Sequence, residues 1–176
     1  APEAPIENGR AAGPGWFVLN LSESAGGRSE RAGSWTEFEP APHGFEQYGL
    51  NVHVVMPGQA NCLYHEESNQ EDFLVLAGEC IAIIEGEERP LKAWDFVHCP
   101  PHTEHIFVGA GDGPCVVFMA GARGSRDETL YVRDEVALRH GASVRQDTPS
   151  SQVAYAPFGR WKPGPPADVD ELLPDG

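Results

Sequence analysis

The sequence predicts an all-β fold, a sandwich or small barrel. Three observations carry this. Short apolar runs recur at near-regular spacing with turn residues between them, the pattern of many short strands. Gly 20 and Pro 16 together make up about a fifth of the 176 residues, which favours turns over long helices. No alternation of strands with helical segments is visible, which argues against a parallel doubly wound sheet.

Taken in order, residues 1–14 are rich in Pro, Gly and Ala and read as a flexible arm. Trp16 to Leu21 reads as a first short strand, and Ser22 to Gly33 as a polar loop. Ser34 to Glu39 alternates apolar and polar residues, the period of a half-buried strand, and Pro40 stops it. Further strands are expected at Tyr48 to Met56, Cys62 to Glu67, Phe73 to Leu76, Cys80 to Ile84, Phe96 to Cys99, Glu104 to Val108 and Cys115 to Ala120. Glu85 to Glu88 reads as a hairpin loop, with a short strand after it. Gly121 to Asp127 is a polar loop. Arg133 to His140 reads as a short helix: Asp134 sits at its start, Arg139 and His140 at its end, and Gly141 can take the left-handed position beyond. Residues 142–176 hold six prolines and an acidic end and read as a tail. Tyr155, Phe158 and Trp161, at intervals of three, either anchor that tail on the barrel or on a partner subunit, or leave it untethered. The expected organisation is therefore an arm at 1–14, a barrel with its N-terminal strands at 15–121, and a helix and Pro-rich tail at 122–176.

The formal net charge of -15 disfavours binding to nucleic acid or to an anionic membrane, both of which need a positive patch. No apolar run reaches the length of a membrane span, and the first residues lack the basic and apolar regions of a signal peptide. The expectation is a cytoplasmic location. Cys62, Cys80, Cys99 and Cys115 are widely spaced with no Cys-x-x-Cys pair, each in an apolar run, and read as buried reduced thiols.

The chemistry is concentrated in the middle. His65 and Glu67, two apart in a strand, face the same side. Glu71 lies across a tight turn at the start of the next strand, and His105 follows a Pro-containing turn further along. Imidazole and carboxylate together suit Mn, Fe, Ni, Co or Zn, whereas Ca and Mg prefer all-oxygen shells. His53 is a candidate proton shuttle if it faces inward, and a satisfied core or surface histidine if not; His98 is treated alike. Tyr64 has the opposite parity to His65 and is expected to pack outside. Phe73, Val75, Phe96 and Phe107 can form either a pocket wall or ordinary core. No Ser-His-Asp triad and no phosphate-binding Gly loop is readable.

These residues resemble the two motifs of the cupin superfamily. Gly58, His65, Glu71 and Gly78 match the first motif, with one extra residue after Gly58 and with Glu67 where a second histidine is expected. Pro100 and His105 match the second at the right spacing, while Trp94, His102 and Gly109 replace its Gly, Gly and Asn. The resemblance covers about Tyr48 to Ala120. It implies a small single-domain double-stranded β-helix, a jelly-roll barrel with the metal inside, and often a homodimer. It also implies one divalent transition metal held by His65, Glu67, Glu71 and His105. The function expected from it is a small metalloenzyme of dioxygenase, isomerase or decarboxylase type acting on an oxygen-bearing small molecule. Glu67 is then either a fourth ligand or a free general base. The alternative is a non-catalytic module that binds a sugar or another small molecule.

Overall fold

The computed structural model describes residues 1–40, 42, 44–124, 126–158 and 161–164. Fourteen strands form among the described residues. They are β1 (Ile6–Glu7), β2 (Arg10–Ala11), β3 (Ala25–Ser29), β4 (Gly33–Glu37), β5 (Tyr48–Val55), β6 (His65–Glu67) and β7 (Glu71–Ala77). After these come β8 (Glu79–Ile84), β9 (Glu87–Lys92), β10 (Phe96–Cys99), β11 (His105–Ala110), β12 (Cys115–Ala122), β13 (Thr129–Tyr131) and β14 (Lys162–Pro163). Two short helices, α1 (Glu135–Arg139) and α2 (Ser151–Ala154), follow the barrel.

Twelve of these strands make two antiparallel sheets that face one another. One has seven strands in the order β10-β7-β12-β5-β4-β3-β14, the other five in the order β13-β6-β11-β8-β9. The strand sequences dictate which side chains go between them. In β11, His105 and Phe107 point inward while Ile106 and Val108 point out; in β8, Cys80 and Ala82 point inward while Ile83 points out. The inner layer joins Phe107, Cys80 and Ala82 of the five-stranded sheet to Val55, Phe73, Val75, Val117 and Met119 of the other. This is the all-β jelly-roll barrel expected from the sequence.

Both outer faces are covered by chain from outside the central motifs. Tyr64, Ile83, Ile106 and Val108 are buried beneath Ala137 of α1 and the Ala142 that follows it. Tyr64 thus packs outside the barrel as its parity requires, and its hydroxyl accepts from the Gly86 amide at 2.9 Å. Helix α1 starts where Asp134 accepts from the Ala137 amide at 2.7 Å, and Gly141 beyond it has φ +67°. On the other side, Leu21 and Phe38 pack against Val52, Val54 and Val116.

Several local expectations are corrected. In place of a flexible arm at 1–14, β1 and β2 form a hairpin whose Ala11 is fully buried. Trp16 to Leu21 is not a strand. Only Trp16 makes a bridge, to Glu3, and Asn20 caps a turn of 3-10 helix at Leu21–Glu23 instead. The loop expected at Ser22 to Gly33 contains β3, which Gly26 and Gly27 make possible. A Cβ at Gly27 would fall on the Trp35 ring across the pair, so the absent side chain is what lets Trp35 lie flat there. Strand β13, in the run Thr129-Leu130-Tyr131, was not expected. Phe96 is on the outer face and largely exposed, not on a pocket wall.

The tail is anchored where it is described. Tyr155 meets Tyr131 edge-on at 5.5 Å, Phe158 meets Tyr155 at 5.6 Å, and Trp161 meets Trp35 at 4.2 Å. The Tyr155 hydroxyl also accepts from the Leu63 amide at 3.3 Å. The acidic end expected as part of the tail, residues 165–176, lies outside the described residues.

Candidate metal centre

The site is built from both sheets. His65 opens β6 and His105 opens β11, and the two are direct cross-strand partners, so their rings point to the same interior side 4.8 Å apart. Glu71 opens β7 in the facing sheet. The three offer ligand atoms that all lie within 4.8 Å of one another. Phe73 forms the apolar floor, its ring 5.1 Å from His105 and 4.6 Å from Phe107.

Hydrogen bonding fixes the donor atoms. His65 Nδ1 lies 2.7 Å from the Leu63 carbonyl and His105 Nδ1 2.9 Å from the Thr103 carbonyl. A carbonyl only accepts, so each Nδ1 carries the proton and each neutral ring turns its Nε2 lone pair to the interior. His105 Nε2 then faces Glu71 Oε2 at 3.2 Å, and that oxygen is buried with no hydrogen bond. Two acceptors at this distance repel unless a cation lies between them, either a proton or a metal ion. The donor set, two imidazole nitrogens and a carboxylate, is one that divalent transition metals take. Carbonyl acceptors on the remote nitrogens are also the usual outer support of metal-bound histidine. The residues present therefore fit the metal that the sequence leads one to expect.

Electrostatics separate the two histidines. Burial, aided by the nearby His105, pushes His65 down to about 4. Burial alone would also lower His105, but the Glu71 carboxylate facing its Nε2, with the Thr103 carbonyl and Glu67, holds it above the ordinary histidine value.

Glu67 stands beside this trio and is not part of its compact group. Its Oε1 is 3.8 Å from His65 Nε2 and accepts from the Thr129 hydroxyl at 2.9 Å. Thr129 is its cross-strand partner on β13. Burial, then the charge of Glu71, raise its carboxyl above the usual range, and Thr129 opposes this. Beside the trio opens a cavity of about 250 Å³ lined by Glu67, Glu71, Asn51, Met119, Arg123 and Asp127, with Gly49, Gly121 and Ala122.

The weaker candidates also find places. His53 lies on β5 opposite Val117, on the inward parity, with its Nδ1 enclosed and unpaired. His98 is on the surface, 2.6 Å from Asp72. His102 is exposed in a turn, 3.4 Å from Glu66. Among the cysteines, Cys80, Cys99 and Cys115 are buried, Cys62 is half-buried, and all four are free. Burial pushes the Cys99 thiol up to about 12, which keeps it unreactive. Thr129, Asn51, Arg123 and Asp127 were not among the expected site residues. For Thr129 the β-branched and aromatic run Thr129-Leu130-Tyr131-Val132 was a usable strand signal.

Residues 51–121 match the family model described as "Cupin domain". No curated protein matches the chain. Among solved structures, the chain is similar to a sugar phosphate isomerase of a cupin superfamily from Silicibacter pomeroyi. The two share 22% identity, the alignment covers 65% of this chain and 68% of that one, and the TM-score is 0.50. It is similar to the polyketide cyclase RemF of Streptomyces resistomycificus, at 13% identity, over 68% and 88% of the two chains, with a TM-score of 0.54. It is also similar to a predicted oxalate decarboxylase of Thermotoga maritima, at 19% identity, over 60% and 97%, with a TM-score of 0.52. At these identities the likeness shows a shared fold.

Proposed function

We propose that this chain, which matches the cupin-domain model over residues 51–121, is a metal-dependent enzyme acting on an oxygen-bearing small molecule. The observation that carries this reading is the facing pair of acceptors, His105 Nε2 and the orphaned Glu71 Oε2, with His65 alongside. His65, Glu71 and His105 would hold one divalent transition ion. A bound ion would supply Lewis acidity, polarising a carbonyl or hydroxyl oxygen of the substrate.

The chain's own residues do the rest. The Leu63 and Thr103 carbonyls keep both histidines in the tautomer that presents Nε2. Thr129 fixes the rotamer of Glu67 at the cavity wall, so that its other oxygen is available to a ligand. A carboxylate whose affinity for protons is raised by burial suits the role of general base, taking a proton from substrate held beside it. Phe73 and Phe107 exclude water from the inner side.

The test is metal titration by calorimetry on protein prepared without affinity tag or chelator. One equivalent of Mn, Fe, Co, Ni or Zn should bind, and His105→Ala should abolish it. Failure of all five to bind would overturn the metal-centre reading. Binding of metal and ligand without metal-dependent turnover would favour the non-catalytic, sugar-binding alternative. The homodimer implied by the cupin resemblance is tested by sedimentation, which should return twice the chain mass.

A further inference from the structure

Resting on that reading of the metal centre, we infer that the cavity beside it takes a neutral, hydroxyl-rich small molecule and discriminates against phosphate esters and carboxylates. The reason is the balance of donors, acceptors and charge left unspent on its walls.

Arg123 is the one cation among the described residues that line the cavity, and its charge is already taken. Glu39 grips it with both oxygens, at 2.8 and 2.9 Å, and the Phe45 carbonyl accepts from it as well. Glu39 is itself held in place by the amides of Phe45, at 2.9 Å, and Leu50, at 3.3 Å. A bidentate guanidinium-carboxylate pair anchored on backbone amides is a rigid, neutral unit. It cannot turn to an incoming anion without leaving Glu39 uncompensated.

What remains on the walls is mostly acceptor. Asn51 lines the cavity with its side-chain amide, of which Oδ1 is enclosed and has no hydrogen bond. Thr129 occupies one oxygen of Glu67 and leaves the other. The Asn69 side chain, at 2.7 Å, and the Gly124 amide, at 3.1 Å, occupy Oδ1 of Asp127 and leave its second oxygen. The free oxygens of Glu67 and Asp127 ask for hydroxyl donors, and the Asn51 amide can pair with a hydroxyl group as well. A ligand with several hydroxyl groups can pair with these carboxylates and the Asn51 amide together, whereas one without them displaces their water and returns nothing for it.

Charge points the same way. A divalent ion would be neutralised by Glu71 and Glu67, and Asp127 then leaves the cavity negative. The whole chain carries a formal charge of -15, and this field repels anions before they arrive. Two of the structural neighbours carry names with anionic substrates, a sugar phosphate and an oxalate. The walls here are unsuited to both.

The experiment compares D-ribose with D-ribose 5-phosphate on the zinc-loaded protein by saturation-transfer NMR. Ribose should bind, and the phosphate ester should bind at least about tenfold more weakly. Glu39→Gln, which frees Arg123, and Asp127→Asn, which removes a negative charge, should each narrow that gap. Asn51→Ala should weaken ribose. Equal or tighter binding of the ester, no ribose binding at all, or unchanged ribose binding in Asn51→Ala would each overturn the inference. Zinc stoichiometry, measured on the same sample, keeps the two readings apart. Lack of zinc binding would count against zinc at the metal centre and leave the cavity inference standing, and the same sugar pair on the metal-free protein would still decide the charge preference.

Discussion

His65 and His105 show how the same side chain acquires different roles a few ångströms apart. His65 is pushed down to about 4 by burial and is already neutral near pH 7. His105 is held above the ordinary value because Glu71, the Thr103 carbonyl and Glu67 together outweigh burial, so in the metal-free protein it tends to carry the proton that sits between the two acceptors. Metal must displace that proton. Affinity is therefore expected to fall as pH drops through and below the raised His105 value, and binding near neutrality should release a proton. Calorimetry in buffers of different ionisation enthalpy would report that proton, and an affinity independent of pH between 6 and 8 would contradict it.

At the scale of the element, the turns keep the geometry of their motif even where the sequence departs from it. Trp94 and His102 stand where the cupin motif has glycines, and both retain a left-handed backbone, at φ +74° and +64°. Trp94 is 77% exposed, so packing returns little for the strain. Trp94→Gly is expected to stabilise the protein by about 0.5–1 kcal/mol in urea denaturation, the relief of left-handed strain less the entropy of a freer unfolded chain. Helix α1 makes the opposite case. Asp134 caps a helix of five residues that covers one outer sheet face. Asp134→Ala is expected to cost about 1 kcal/mol in the same assay.

For the whole molecule, acid sensitivity follows from histidines buried without a proton. His53 is held down to about 4 by burial against an ordinary value of 6.5, and its enclosed Nδ1 has no partner. Between those values the unfolded chain binds the proton and the folded chain does not, so stability is complete above about 6.5 and declines as pH falls towards 4. The loss from His53 is on the order of 3 kcal/mol. The thermal midpoint of metal-free protein should fall across this window, and less steeply in His53→Gln. The fold that imposes this was largely legible beforehand. The β4, β5, β7, β8, β10, β11 and β12 runs alternate or are continuously apolar between turn residues, and local period alone reveals them. Among the missed pieces, β1, β2 and β14 are two residues long and β3 is held by glycines, so they lack such a signal, while β13 has three residues and is marked by strand propensity alone.

By itself the sequence determined the barrel strands, the capped helix and the grouping of His65, Glu71 and His105, because period-two alternation and motif spacing are local properties of the chain. Only the tertiary structure decided what Glu67 and the cavity are. Glu67 shares a face with His65 by sequence, but its orientation is set by the Thr129 hydroxyl on a strand 62 residues away along the chain. Likewise Arg123 is free in the sequence and neutralised in the fold by Glu39, 84 residues distant. Hydrogen bonds and ion pairs between remote segments have no periodic signature, and it is these that fix which groups remain to meet a ligand.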